Sequence, residues 1–214
     1  SQLGADIDGE AAGYQSGFSV SLSSVGNTVA IGAAGNDGNG NASGHVRVYN
    51  YNGSAWTQLG SDIDGEAAAD QSGWSVSLSS DGKTVAVGAD ANDGNGNASG
   101  HVRIYNYNGS AWTQSGSDID GEAAGDYSGY SMSLSSDGTT VTIGARSNDG
   151  NGSNSGHVRV YNLIYENKKP IAVADTKSVE EDSSLTSINV IANDSDEDGD
   201  ELSLIAATTS GVGT

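Results

Sequence analysis

The chain has 214 residues, with 28 Asp and Glu against 8 Lys and Arg, a formal net charge of −20 and no cysteine. This charge repels nucleic acid and anionic membrane surfaces, so neither is expected as a partner. Without cysteine the chain has no disulfides, thiolate catalysis or zinc–sulfur sites. The sequence contains no run of 18 apolar residues, so it predicts no membrane-spanning helix.

Three near-copies of one unit follow one another with a period of 56 residues, beginning at Gln2, Gln58 and Gln114. The copies occupy about residues 2–57, 58–113 and 114–165. A fixed period of this size indicates a supersecondary unit that buries its apolar face only against its neighbours. Residues 1–165 are therefore expected to form one array of similar packed units.

The second copy shows the predicted elements in order. Apolar residues alternate with serines from Trp74 to Leu78, which is typical of a half-buried strand. Asp81-Gly82 predicts a hairpin turn, and alternation resumes from Val85 to Ala89. After a polar loop, Val102 and its neighbours form a third strand. Asn108-Gly109 then turns the chain into a fourth strand.

Four short antiparallel strands per copy, joined by the acidic segment S-D-I-D-G-E, predict an all-β array of β-propeller blades. A β-solenoid is disfavoured because its coils are usually shorter and lack two tight hairpins per unit. Three blades are too few to close a propeller, which needs about four or more. We therefore expect three four-stranded sheets in an open, partial propeller.

The second copy reads W-S-V-S-L-S-S-D-G-K-T-V-A-V-G-A and then G-H-V-R-I-Y, and in this it resembles the FG-GAP repeats of integrin-α-type β-propellers. Phe18–Val20 with Val29–Ala33, and Tyr130–Met132 with Val141–Ala145, match likewise. The resemblance implies a fold rather than an activity. The family's calcium loop, D-x-D-x-D-G, has no counterpart here, because the first hairpin holds only S-S-D-G at 79–82.

The tail differs in composition. Residues 166–170 are interpreted as a linker, and 171–214 resemble the opening of cadherin-like, VCBS-associated modules of bacterial surface proteins. The resemblance implies an Ig-like β-sandwich, which needs about 90–100 residues, so this module is expected to be incomplete. The chain also opens within a repeat. It is therefore interpreted as a fragment of a longer protein.

The tail contains the most distinctive candidate metal site. Carboxylates alternate along D-S-D-E-D-G-D, and a glycine allows the sharp turn of a calcium loop. The resemblance adds the E-D pair upstream. The predicted calcium ligands are Asp194, Asp196, Asp198, Asp200, Glu181 and Asp182.

The connectors between copies give a second set of candidates, because three acids within five residues repel one another unless they are paired or metal-bound. Calcium is one interpretation, and pairing with Arg47, Arg103 and Arg159 on the neighbouring strands is the other. The connector candidates for calcium are Asp62, Asp64, Glu66, Asp118, Asp120 and Glu122, with Asp6, Asp8 and Glu10 as their first-copy equivalents.

Other recurring polar and aromatic residues are interpreted structurally. The loop D-G-N-G-N-A-S offers one carboxylate per copy and is expected to be a turn-rich connection. His45, His101 and His157 occupy one equivalent position and are expected at strand starts. The Trp and Tyr residues of the outer strands, such as Trp56 and Trp112, are expected to pack between blades, with a glycan-stacking surface as the alternative.

No nucleophile elbow, P-loop or sialidase-type Asp-box is present, so a non-catalytic protein is expected. The prediction is an extracellular adhesion or surface-display protein with structural calcium. Its partner would be a protein or glycan on a cell surface or matrix, alongside further blades of the same longer chain. The alternatives are a glycan-binding, lectin-like propeller and a propeller hydrolase whose active site lies outside this chain.

Overall fold

The computed structural model describes residues 1–163, 171–173, 191 and 194–195. The chain divides into two compact units, Ser1–Tyr165 and Glu166–Thr214. All thirteen strands of the described residues lie in the first unit. None of the described residues belongs to a helix that could cross a membrane.

The first unit is all-β and consists of three antiparallel sheets in chain order, none closed into a barrel. The first sheet contains β1 (Ser19–Leu22), β2 (Thr28–Ala33), β3 (His45–Tyr51), β4 (Trp56–Gln58) and β5 (Ile63–Asp64). The second contains β6 (Ser75–Leu78), β7 (Thr84–Ala89), β8 (His101–Tyr107), β9 (Trp112–Gln114) and β10 (Ile119–Asp120). The third contains β11 (Ser128–Leu134), β12 (Thr140–Ala145) and β13 (His157–Asn162).

Both predicted hairpins of the second copy are confirmed. At the first, Gly82 has φ of +74°, and Asp81 Oδ1 accepts hydrogen bonds from Ser79 Oγ at 2.6 Å and Lys83 N at 3.0 Å. At the second, Gly109 has φ of +97°, and Asn108 Oδ1 accepts from the next backbone amides. The side chains of Asp81 and Asn108 therefore accept hydrogen bonds from backbone amides of their own turns and stabilise the turn conformation.

The connector extends the sheet of the preceding copy. Ile63 pairs with Val46 and Asp64 with His45, so β5 of the second copy joins the first sheet beside β4. Ile63 is buried in the core between the first two sheets, which explains the single apolar residue in this acidic segment. Each copy is therefore fastened to the one before it through both backbone and side chain.

Consecutive sheets pack face to face through aliphatic side chains. In the first interface Val46 and Val48 lie in one cluster with Leu78 and Val85 of the next sheet. In the second interface the facing residues are Val102, Ile104, Leu134, Val141 and Ile143. Valine, leucine and isoleucine dominate these cores, and Trp112 packs at the edge of the first.

Serines of the innermost strands link neighbouring sheets. Ser19 Oγ donates to the carbonyl of Gly73 at 2.7 Å, and Ser75 Oγ donates to that of Gly129 at 2.6 Å. In the other direction Leu134 N donates to Ser77 Oγ at 2.9 Å. The alternating serines therefore satisfy backbone groups of the next sheet where the inner strands converge.

Candidate functional site

The connector acids are shared between two sheets. Asp62 Oδ2 lies 3.5 Å from His45 Nδ1 on the first sheet, whereas Glu66 Oε2 lies 3.9 Å from His101 Nδ1 on the second. Asp64 continues the β-ladder opposite His45. The acids of one D-I-D-G-E segment thus lie in two clusters, each of which combines acids from two successive connectors with one histidine.

In the second cluster an arginine bridges both acids. Arg103 donates from Nε to Asp118 Oδ1 at 2.9 Å and from Nη2 to Asp118 Oδ2 at 3.0 Å, and it also pairs with Glu66. Burial alone would raise the Asp118 pKa, but hydrogen bonds from Arg103 and Gln114 bring the pKa below its usual value. The arginine pairing considered for the connector acids is therefore present in this cluster.

The first cluster is looser. Arg47 Nη2 donates to the carbonyl of Asp8 at 2.8 Å, and its Nη1 lies 3.9 Å from Glu10 Oε1. One ligand atom each from Glu10, His45 and Asp62 lies within 4.8 Å of the others, and Glu66, His101 and Asp118 repeat this arrangement. In the third copy Glu122 lies near both His157 and Arg159.

The histidines of these clusters are buried. Burial lowers the pKa of His45, and burial together with the Arg103 charge lowers the pKa of His101. Both imidazoles are therefore neutral at pH 7. Calcium prefers a shell of oxygen ligands. In these clusters the carboxylates lie instead beside an imidazole nitrogen and a positively charged guanidinium, so the clusters do not resemble such a shell.

The tail loop is only partly within the described residues. Asp194 Oδ1 accepts a hydrogen bond from Val173 N at 2.8 Å, and Ile171 pairs with Ser195. The other predicted ligands, Asp196, Asp198, Asp200, Glu181 and Asp182, lie outside the described residues. Asp194 therefore lies where the segment around Ile171 to Val173 meets the segment that contains Ser195.

The loop D-G-N-G-N-A-S is built from its own hydrogen bonds. Asp93 Oδ1 accepts from Ala98 N at 2.8 Å, and Ser99 Oγ accepts from Asn95 N at 3.1 Å. The outer tryptophans are also engaged: Trp112 Nε1 donates to the Leu59 carbonyl at 2.9 Å, and its ring lies 5.2 Å from that of Tyr107. These oxygens and rings therefore make contacts within the array, and the structural interpretation of them stays a prediction.

Sequence reasoning missed a pocket at the interface of the second and third sheets. Asp90 and Trp74 from the second copy line it together with Tyr127 and Arg146 from the third. The signal that could have found it is a departure from the repeat, because equivalent positions hold Ala34, Asp90 and Arg146 while most neighbours are unchanged. Residues that differ among otherwise identical copies are where a repeat protein becomes asymmetric.

Three similar antiparallel sheets, packed one on the next through their faces and not closed, define a partial β-propeller. The family comparison agrees: residues 62–105 and 118–161 match the FG-GAP repeat, and residues 167–214 match a bacterial Ig domain. The chain thus carries FG-GAP repeats followed by a bacterial Ig domain, as the resemblances implied. No curated protein matches the chain.

Two solved structures are among those to which the chain has low similarity. A complex of KlAtg21 with the coiled-coil of AgAtg16 has 14% sequence identity and a TM-score of 0.45, over 75% of this chain and 47% of that one. Hydrazine synthase from Kuenenia stuttgartiensis has 15% identity and a TM-score of 0.43, over 72% of this chain and 40% of that one. This chain therefore spans less than half the length of either.

Proposed function

We propose that this chain is a non-catalytic part of an extracellular adhesion or surface-display protein in which calcium is a structural cofactor. The observation that carries the proposal is the combination of domains, FG-GAP repeats followed by a bacterial Ig domain. These domains fit an extracellular surface protein and generally occur in such proteins. We further propose that the protein adheres to a protein or a glycan on another surface.

The arrangement of side chains supports a scaffold. The His, Arg and acid clusters recur at successive sheets and consist of groups that pair with one another. A catalytic centre usually lies at one asymmetric place and contains a nucleophile or base positioned against a substrate. Clusters repeated on each of the three sheets instead suit a protein that presents loops on a rigid, extendable frame.

Adhesion is tested with beads that carry the purified chain. We expect these beads to remain, under flow, on at least one of three surfaces: matrix protein, bacterial polysaccharide or intact cells. Beads with the chain unfolded before coupling are the control for surface charge, which is strongly negative in both cases. Equal retention of native and unfolded chains on every surface would contradict the adhesion proposal.

Calcium is proposed at the tail loop from Asp194 to Asp200, because that segment offers five carboxylates and no arginine or histidine. The family's usual position, the first hairpin, does not fit, since its single carboxylate, Asp81, already accepts two hydrogen bonds within the turn. The connector acids Asp62, Asp64 and Glu66, with Asp118, Asp120 and Glu122, form a second place to test.

We predict that calcium raises the melting temperature of the whole chain relative to a chelator, by mass action on the folded form. The double variant Asp196→Asn with Asp198→Asn should lose this shift. The matched control, Asp62→Asn with Glu66→Gln, should retain it. A shift lost only in the control pair would place the ion at the connectors, and no shift in the unmodified chain would reject calcium.

A further inference from the structure

We propose that the pocket between the second and third sheets binds a neutral saccharide, and that this is how the proposed adhesion protein recognises a glycan. The pocket has a volume of about 380 Å³, within the range of small-molecule sites, which is about 300–1,000 Å³. Trp74 lines both this pocket and the one at the preceding interface, whereas Asp90, Tyr127 and Arg146 line only this one of the two. The inference rests on the proposed function and names the ligand class.

Asp90 is the first reason. Its side chain is 3% exposed, and no donor among the described residues lies within hydrogen-bonding distance of Oδ1. A buried acceptor without a donor costs about 1–3 kcal/mol, so natural proteins keep few of them. Burial also raises the pKa of this carboxyl to about 6, although the nearby Arg146 charge opposes the shift. Perturbed, unpaired groups that line a pocket are typical of binding sites.

Arg146 is the second reason. Its guanidinium carbon lies 4.5 Å from the ring centroids of both Tyr127 and Tyr130, so two aromatic rings hold the group in place. Within the described residues, the contacts of this guanidinium are those with the two rings, and it makes no hydrogen bond to another side chain or backbone group. Its N–H donors therefore remain available beside the free acceptor of Asp90.

Aromatic side chains supply the third reason. Phe18, Trp74 and Tyr130 occupy equivalent positions at the start of the inner strand of each sheet. Their ring centroids lie 4.6 Å and 5.7 Å apart, in a row from the first sheet to the third. Trp74 lines the pocket at the centre of this row. The π faces of such rings carry partial negative charge and attract the C–H groups of a flat ligand.

The equivalent pocket of the preceding interface gives an internal comparison. Its volume is about 350 Å³, and it is lined by Ala34 and Gln71 where the second pocket has Asp90 and Tyr127. Both pockets share the same polar loop, represented by Asp37 in the first and Asp93 in the second. The copies therefore preserve the shape, and only the second interface adds the free acceptor and, with Arg146, the cation.

These groups select the class of ligand. Asp90 requires a donor, Arg146 requires an acceptor, and Trp74 requires a flat apolar face. A pyranose offers all three, because its hydroxyls both donate and accept and one ring face presents C–H groups. An acidic ligand is disfavoured because three aspartates, Asp70, Asp90 and Asp93, line the pocket together with one arginine. The donors, the acceptor and the net negative lining together favour a neutral sugar over an acidic one.

The test screens the whole chain on an array of immobilised neutral and acidic glycans, followed by calorimetry with the free sugar that binds best. We expect the chain to bind at least one neutral glycan on the array. Asp90→Ala should weaken its binding at least tenfold, and Arg146→Gln at least fivefold. The matched control, Asp37→Asn in the equivalent pocket, should stay within twofold of the unmodified chain. Ala34 occupies the Asp90 position in the first copy, so alanine is compatible with this local fold.

Two results would overturn the proposal: no neutral glycan retained by the folded chain, or Asp90→Ala binding as tightly as the unmodified chain. Retention of a lysine-rich peptide, lost in Asp90→Ala while glycans are ignored, would assign the pocket to a cationic partner instead. Bead adhesion separates this inference from the proposed function. If native beads adhere and Asp90→Ala beads adhere equally, only the pocket proposal fails. If native beads do not adhere although sugar binds, only the adhesion proposal fails.

Discussion

At the scale of single residues, burial sets the behaviour of the ionisable groups. Asp90 loses hydration without gaining a hydrogen bond at Oδ1, whereas Asp118 loses hydration and gains two hydrogen bonds from Arg103. The pKa of Asp90 is consequently raised and that of Asp118 lowered. Two aspartates of one repeat array thus reduce or support stability according to their partners.

Asp90→Asn should stabilise the chain at pH 8 by about 1–3 kcal/mol, since its pKa of about 6 lies above the usual 3.8. The folded form binds this proton more tightly, so Asp90 weakens the fold above pH 6, and the penalty disappears as pH falls below 3.8. Urea unfolding at pH 8 and pH 4 measures the difference between variant and unmodified chain. An equal difference at both pH values would contradict the prediction.

The other charged groups of this pocket are Asp70, Asp93 and Arg146, and they are unchanged in the variant. His45 and His101 have lowered pKa values, so they resist protonation in the folded chain and reduce its stability as pH falls below 6.5. That effect occurs equally in both proteins and cancels in the difference.

Arg103→Met should destabilise the chain by about 2–4 kcal/mol, because it leaves Glu66 and Asp118 without the guanidinium that both contact. The control is Arg159→Met: among the described residues its more exposed side chain has one acidic partner, Glu122 at 3.6 Å, and it also donates to the Asp120 carbonyl at 2.6 Å. We expect it to cost less than about 1 kcal/mol. Unfolding free energies at pH 7 compare the two, and equal costs would contradict the role assigned to the bridge.

At the scale of elements, a glycine in the second strand of each sheet allows close packing. A Cβ at Gly88 would lie 2.5 Å from the carbonyl oxygen of Gly129 on the next sheet and 2.5 Å from Ser75 Oγ on its own. Gly144 is the equivalent in the third sheet, where a Cβ would meet Ser131 Oγ at 2.5 Å but no backbone of a further sheet. The V-G-A motif therefore marks where one blade meets the next.

We predict that Gly88→Ala costs at least about 1 kcal/mol more than Gly144→Ala, because only the former pushes two sheets apart. Both substitutions have the same clash with a serine of their own sheet, so the difference isolates the interface. Thermal and urea unfolding of the two variants provide the comparison. Equal destabilisation would show that the interface yields to the extra methyl group.

At the scale of the propeller unit, the two outer faces are incomplete interfaces. Val20 and Leu22 are 65% and 57% exposed, although their equivalents Val76 and Leu78 pack against the preceding sheet. On the opposite face Val158 and Val160 are 68% and 65% exposed, although equivalent residues of both earlier sheets are buried. The two faces correspond to the two sides of one repeated interface, so each is complementary to the other.

We therefore predict head-to-tail self-association of this chain at high concentration, because association of the two faces would remove their exposed apolar side chains from water. Sedimentation velocity should show the mean mass rising with concentration. Val160→Lys should reduce the association by placing a charge at the contact, whereas Ser54→Lys in an exposed turn should not. A monomer at every concentration tested would contradict the prediction.

Much of the architecture was predictable because its signals are local. Alternating apolar residues define the strands, and Asp81-Gly82 and Asn108-Gly109 define the turns, since each acts within a few residues of chain. The period of 56 residues then implies that every copy folds alike. The connector was harder to interpret, because the pairing of β5 with the preceding sheet depends on Val46, which lies seventeen positions before Ile63.

The sequence by itself determined the all-β class, the repeat and the hairpins of this protein, because these follow from periodicity and from backbone preferences that neighbouring residues set. Only the tertiary structure decided which ionisable groups meet. It divided Asp62 and Glu66 between two sheets, and it buried Asp90 without a donor for Oδ1. Charge pairing and burial depend on atoms brought together from distant copies, so the chemistry of these sites emerges when one sheet packs on the next.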